Sequence, residues 1–170
     1  TVEGMAKDGI PYTGFLYAGL MISPNGAIKT LEFNCRMGDP ETQPIMLRLK
    51  SDFVTLVEHA VNGTLNKVEA EWDRRTALGV VMASHNYPET PRLNDEISGL
   101  PKNLEDAQVF HAGTKLVDGK VLTSGGRVLC VTALGETVKF AHQKAYRIIE
   151  DIKFDGAQYR TDIGFRALKG

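Results

Sequence analysis

The chain has 170 residues, 42% of them hydrophobic and 24% charged, with a net charge of −1, enough for one or two small domains with a core. That balance excludes a global field that would recruit nucleic acid or a membrane surface, so any anion must be held by local basic residues. No apolar run approaches the roughly 20 residues that span a bilayer. Cys35 and Cys130 each sit in an apolar stretch with no CxxC pair, which predicts reduced thiols and a cytoplasmic location. The sequence opens at Thr1-Val2-Glu3 with neither an initiator methionine nor a targeting signal, as expected of a piece of a longer polypeptide.

In chain order, residues 14–22 read as a buried strand. Ser23-Pro24-Asn25-Gly26 is a turn, because proline presets φ and Asn-Gly accepts left-handed backbone. Residues 28–34 return as a second strand, and Gly38-Asp39-Pro40-Glu41 is a sharp loop whose proline sits where a helix could begin. Ser51 is placed to cap a helix carrying Phe53, Val54, Val57 and Val61, stopped near Asn62-Gly63. The polar stretch 66–75, with Trp72, reads as a linker and sets the expected division at 1–66 and 67–170. Beyond it, 77–83 is a strand, 85–95 a loop, 108–112 and 115–117 are extended with a turn at Asp118-Gly119, and 126–134 is a central strand. A helix is expected over 136–152, with Val138, Ala141, Ala145, Ile148, Ile149 and Ile152 on one face. A last extended stretch carries Tyr159, Ile163 and Phe165. Strands and helices alternate without repeats, which indicates an α+β fold.

The segment Leu31-Glu32-Phe33-Asn34-Cys35-Arg36 concentrates the chemistry. At i and i+2 of a strand, Glu32 and Asn34 project from one face; both offer hard oxygens of the kind Mg²⁺ takes together with phosphate oxygens and water. The same alternation puts Arg36 on that face, a planar cation for a phosphate. The plainer reading is a solvated strand end with a Glu–Arg pair. Gly38-Asp39-Pro40-Glu41 exposes backbone N–H groups beside two carboxylates, able to hold an ammonium and a phosphate, or simply to cap a helix. Towards the C-terminus, His111-Ala112-Gly113-Thr114-Lys115 and Ser124-Gly125-Gly126-Arg127 offer Lys115 and Arg127 as anion ligands beside glycines that admit a ligand to the backbone. Taken alone, a β-turn with a surface arginine is the plainer reading of the second of these. His59, His85 and His142 have no partner at metal-ligand spacing.

LEFNCRMGDPETQP (residues 31–44), preceded by PYTGFLYAGLMI (11–22), resembles the end of the ATP-grasp domain of the phosphoribosylamine–glycine ligase family. FHAGTK (110–115), GGRVLCVTALG (125–135) and DIGFRA (162–167) resemble its C-terminal domain. The resemblance runs through essentially the whole chain in order. Glu-x-Asn-x-Arg is common to the ATP-grasp superfamily, whereas the GDPETQP continuation is specific to this ligase family.

The resemblance implies the C-terminal portion of an ATP-grasp domain followed by a small mixed sheet and helix domain. It implies ligation of glycine to 5-phosphoribosylamine with ATP, through a glycyl phosphate, in purine biosynthesis. Glu32 and Asn34 would hold Mg²⁺ or Mn²⁺, and Leu31, Glu32 and Asn34 would line the nucleotide. Arg36 and Asp39 would be catalytic, while Arg127 and Lys115 would hold the substrate phosphate. Two departures stand out. ATP-grasp enzymes often carry another metal carboxylate where this chain has Leu20, and the lysines and glycine-rich loop that grip ATP are absent. The missing amino-terminal half of the polypeptide is therefore an expected partner, and this chain alone is expected to be inactive. Nucleic acid and membrane are not expected partners. The alternatives are another ATP-grasp ligase, of carboxylase or carbamoyl type, and a non-catalytic binding module.

Overall fold

The computed structural model describes residues 1–168. The backbone forms two compact units, Thr1–Asp39 with Leu49–Trp72, and Pro40–Arg48 with the residues from Asp73 onward. Where the sequence marks one division, at 66/67, the backbone thus passes between units at 39/40, 48/49 and 72/73. Most of the expected linker lies inside the first unit, because its extended backbone is paired there: Leu49 bridges Trp72 and the Lys50 N–H donates to the Glu71 carbonyl at 2.9 Å.

The first unit opens with a short helix, α1 (Val2–Lys7), and continues as a hairpin of β1 (Tyr17–Ile22) and β2 (Ile28–Asn34). The Ser23–Gly26 turn closes it as expected, with the Gly26 N–H donating to the Ser23 carbonyl at 2.9 Å. The pairing slips at Gly19/Leu20: Gly19 faces Glu32 but Leu20 faces Thr30, leaving Leu31 as the extra residue of a bulge. After residue 48 the unit resumes with α3 (Phe53–Val61) and a 3-10 turn at Leu65–Lys67. The cap of α3 is Asp52 rather than Ser51; its carboxylate accepts the Thr55 N–H at 2.7 Å. Ser51 is otherwise engaged, its hydroxyl accepting the Glu71 N–H at 2.7 Å. No hydrophobic residue of this unit is fully buried among the described residues, and Leu31, Ile22 and Ile28 are each more than 60% exposed.

The second unit is built on an antiparallel sheet, ordered β3 (Thr76–Ala83), β7 (Arg127–Gly135), β4 (Ala107–His111). The strand read at 126–134 is indeed central, which is why it is almost continuously apolar. Leu78, Val80 and Met82 of β3 share a face with Leu129, Val131 and Ala133 of β7 and with Ala107 and Val109 of β4. That face packs under α4 (Val138–Asp151), whose Ala141, Ala145 and Ile149 are buried at the expected spacing. Thr137 caps α4, accepting the Phe140 N–H. The opposite face, with Gly79 and Val81 paired to Thr132 and Cys130, takes α2 (Thr42–Arg48). Hence α2 groups with this unit although the sequence places it beside the hairpin. A second hairpin, β5 (Thr114–Val117) and β6 (Lys120–Thr123), turns at Asp118-Gly119. The stretch expected to be extended at the C-terminus is a loop ending in one helical turn, α5 (Phe165–Leu168). The α+β expectation holds.

Candidate active-site residues and a basic cleft

In the first unit, Glu32 and Asn34 lie opposite Gly19 and Tyr17, and the two-residue period keeps them on one face. Gly19 makes room for the carboxylate: a Cβ there would stand 3.2 Å from Glu32 Cγ. Asn34 is half buried, and its Nδ2 has no hydrogen-bond partner. Since amide nitrogen and oxygen are interchangeable by rotation, this side chain is not committed to holding the fold together. Among the described residues no three His, Cys, Asp or Glu side chains cluster as a metal site. One carboxylate and one amide oxygen fit a hard cation that completes its shell with phosphate oxygens and water.

The neighbouring residues depart from simple alternation. β2 ends at Asn34, so Arg36 lies beyond the strand in a bend, where its Nη1 donates to the Met37 carbonyl at 3.0 Å. The strand period that put Arg36 on the Glu32 face no longer applies there. Asp39 is exposed, three residues before α2. Leu31 is the bulged residue, 64% exposed. Tyr12, near Cys35, has its phenol raised above the ordinary 10.0, through desolvation first and then the thiol.

In the second unit, a cleft of about 410 Å³ opens on the α2 side of the sheet. Its floor is Gly79, Val81 and Ala83, the alternate residues of β3 that do not face α4. Arg127 stands at its edge because of a bulge. Met82 pairs with Leu129 but Ala83 pairs with Arg127, so Val128 is the extra residue. Without it, Arg127 would share the parity of Leu129 and Val131 and point into the core; the extra residue turns it to the cleft side. The Arg127 Nε donates to the Tyr87 hydroxyl at 2.9 Å. Gly126 permits that closeness, since a Cβ there would come within 2.5 Å of the Tyr87 ring.

A third segment completes the cleft. Gln158 bridges Ala83, with backbone hydrogen bonds of 2.7 and 2.9 Å, so Arg127, Ala83 and Gln158 form a row across three adjacent strands of backbone. Tyr159 and Arg160 follow along the lining. Arg160 forms a two-point pair with Asp162, at 2.9 and 2.7 Å, which holds the Asp162 carboxyl below the ordinary 3.8. Lys115, on exposed β5, is not among the lining residues. The other basic-segment residue, His111, accepts or donates at 3.0 Å to Thr114 in the β4–β5 turn, a structural bond. Tyr87, Gln158, Tyr159 and Arg160 carry no local motif; the pairing of Ala83 with Gln158 brings the last three to Arg127, and the Ser84 N–H donating to the Gly126 carbonyl at 2.8 Å brings Tyr87.

Residues 77–166, more than half the chain, match the phosphoribosylglycinamide synthetase C domain, and residues 1–42 match the ATP-grasp (A) domain of the same enzyme. The chain belongs to the phosphoribosylglycinamide synthetase family. It is 64% identical over 169 residues to a phosphoribosylamine–glycine ligase of Ralstonia nicotianae, covering 99% of this chain and 40% of that protein. The corresponding ligase of Escherichia coli O157:H7 is 58% identical over 171 residues, with the same coverage. Among solved structures, a phosphoribosylamine–glycine ligase from Thermotoga maritima superposes with a TM-score of 0.83 at 41% identity, over 95% of this chain and 39% of that one. A biotin carboxylase from Campylobacter jejuni shares the fold, with a TM-score of 0.64 at 9% identity over 99% of this chain and 37% of that one. The chain thus spans about 40% of the length of the curated relatives it matches. Both cysteines are free thiols, Cys35 exposed and Cys130 buried. Among the described residues no helix is long and apolar enough to cross a membrane.

Proposed function

We propose that the full polypeptide to which this chain belongs is a cytoplasmic ligase joining glycine to 5-phosphoribosylamine at the expense of ATP, in purine biosynthesis. In the first step a glycine carboxylate oxygen attacks the γ-phosphorus and the bond to ADP breaks, giving glycyl phosphate. The ribosylamine nitrogen then attacks the acyl carbon, loses a proton, and phosphate leaves as its C–O bond breaks. The products are glycinamide ribonucleotide, ADP and phosphate.

Two anions meet in the first step, so cationic charge at the transferring phosphoryl group is the main physical requirement. Glu32 and Asn34 are the residues that would hold Mg²⁺ or Mn²⁺, which when bound supplies part of that charge. Arg36 contributes a guanidinium for the same oxygens, and Leu31 packs beside the nucleotide. Asp39 offers a carboxylate to an amine. Arg127 is assigned to the 5′-phosphate of the ribosylamine; Lys115, the other residue expected there from the sequence, does not line the cleft.

The observation that carries this reading is the uncommitted Asn34 amide on the same strand face as Glu32, in a segment matched to the ATP-grasp domain of this enzyme. Phosphate release by the full-length protein tests it. Release that requires both glycine and 5-phosphoribosylamine is expected; release driven by bicarbonate instead of glycine would assign the protein to the carboxylase-type ligases, and no release of phosphate from ATP would assign it to a binding module.

A further inference from the structure

The lining of the cleft beside Arg127 contains two arginines, and the carboxylate paired with Arg160, that of Asp162, lies outside it. A phosphate monoester carries a charge of about −1.5 to −2 at neutral pH, more than one guanidinium neutralises. Lys115 does not reach the lining, whereas Arg160 does. We propose that Arg160, rather than Lys115, is the second cation of an Arg127–Arg160 clamp that binds the phosphate of a phosphorylated ribose in this cleft, an inference that rests on the ligase reading.

The backbone accounts for the pairing of the two arginines. Directly opposed residues of antiparallel strands share a face, so the row Arg127, Ala83, Gln158 puts the first arginine and the Gln158 amide on one side. Arg160 lies two residues beyond Gln158. Ala83, the smallest side chain in that row, leaves the space between them. The loop carrying Arg160 is pinned from behind: the Tyr146 hydroxyl donates to the Arg160 carbonyl at 2.6 Å and accepts the Ile163 N–H at 3.2 Å. Tyr146 is a positioning residue.

The chemistry of the lining fits a sugar phosphate better than a bare anion. Arg160 spends Nε and Nη2 on Asp162, and its Nη1 has no partner among the described residues. The Tyr87 hydroxyl accepts from Arg127 and retains its own proton to donate. With the Tyr159 hydroxyl and the Gln158 amide, it gives polar partners suited to a polyol, while Gly79, Val81 and Ile163 offer apolar surface to the sugar carbons. A volume of about 410 Å³ accommodates a pentose phosphate.

The test is calorimetric titration of the full-length protein with ribose 5-phosphate, ribose and inorganic phosphate, for wild type, Arg160→Met, Asp162→Asn and Lys115→Met. Arg160→Met is expected to weaken ribose 5-phosphate about 10- to 100-fold, the size of a lost charge-assisted contact. Asp162→Asn removes the competing carboxylate and should leave binding unchanged or tighter; Lys115→Met should leave it unchanged. Inorganic phosphate and ribose should each bind at least about 10-fold more weakly than the sugar phosphate. Arg160→Met and Asp162→Asn break the same ion pair, so equal losses in both would reduce Arg160 to a structural partner and overturn the proposal. Wild-type affinity in Arg160→Met, or a loss confined to Lys115→Met, would overturn it too, as would phosphate binding as tightly as the sugar phosphate. Ligation measured alongside separates the two readings. Normal ligation with Arg160-independent binding sinks the clamp alone; Arg160-dependent binding without ligation sinks the ligase reading alone.

Discussion

Gly126→Ala would perturb the cleft at one defined contact. The added Cβ would stand 2.5 Å from Tyr87 Cδ2 and 2.9 Å from Cε2, where ordinary contact begins at 3.4 Å. The ring must therefore withdraw by about 0.9 Å, and its hydroxyl is the acceptor for Arg127 Nε at 2.9 Å. Gly126 has no positive φ, so alanine introduces no backbone strain and the effect is purely steric. Overpacking of this kind costs about 1–3 kcal/mol, and the lost hydrogen bond adds about 0.5–1.5 kcal/mol if nothing replaces it. In a protein of this size each kcal/mol lowers the melting temperature by about 2–4 °C, so a fall of several degrees in the full chain is expected. The full-length enzyme should also show a raised KM for phosphoribosylamine with those for ATP and glycine unchanged, because Arg127 loses the contact that fixes its direction. An unchanged melting temperature together with an unchanged KM would refute the claim that Gly126 is there to admit Tyr87 and that Tyr87 orients Arg127.

Three further outcomes are expected. Glu32→Gln keeps the side-chain shape but removes the charge, so the full-length enzyme should need at least about 10-fold more Mg²⁺ for half-maximal rate while its KM for glycine stays put; near-normal rate at limiting Mg²⁺ would contradict the metal assignment. Asp106 is held below the ordinary 3.8, first by its hydrogen bond to Arg75, at 2.8 Å; a carboxyl lowered in the folded state stabilises above its unfolded value and loses that contribution as pH falls through its folded one. Acid unfolding of the chain should therefore steepen below about pH 4, and Asp106→Asn should remove that part of the slope; an unaltered acid limb would show the pair to be inert. Amide exchange should be slowest in β7 and α4 and fast throughout β1 and β2, where Ile22, Ile28 and Leu31 are uncovered; uniform protection would mean that the first unit is self-sufficient.

Much of the fold was legible because single residues carried it. The period of Ala141, Ala145 and Ile149 marked the face of α4, and the nearly continuous apolar run after Arg127 marked a central strand. What escaped was short or depended on contacts distant in sequence. β6 is only four residues, and its partner β5 supplies the register. The assignment of α2 to the second unit depends on Pro44 meeting Gly79, thirty-five residues away, which no local pattern announces. Ser51 and Asp52 are both good capping residues; the choice between them was made by Glu71, whose N–H claims Ser51 from twenty residues downstream.

The two candidate sites differ in legibility for the same reason. Glu32 and Asn34 need only the two-residue period of one strand, and their alternation survives the bulge because the extra residue is Leu31, before them. Arg36 fails the same rule because the strand has ended. In the cleft the rule is reversed by the second bulge. Arg127 shares its odd number with Leu129 and Val131, both wholly buried, so strict alternation would bury a guanidinium among aliphatic side chains, at a cost of several kcal/mol. That conflict is itself a signal: an arginine at a core position of an otherwise apolar strand requires either a bulge or a strand end before it. Val128, wholly buried in the position the pattern reserves for neither face, absorbs the mismatch. The same step that spares the core from a charge delivers that charge to Ala83 and, through it, to the Gln158–Arg160 segment. The clamp is thus a consequence of how β7 begins, and an arginine moved one residue on, to the wholly buried place of Val128, would not form it.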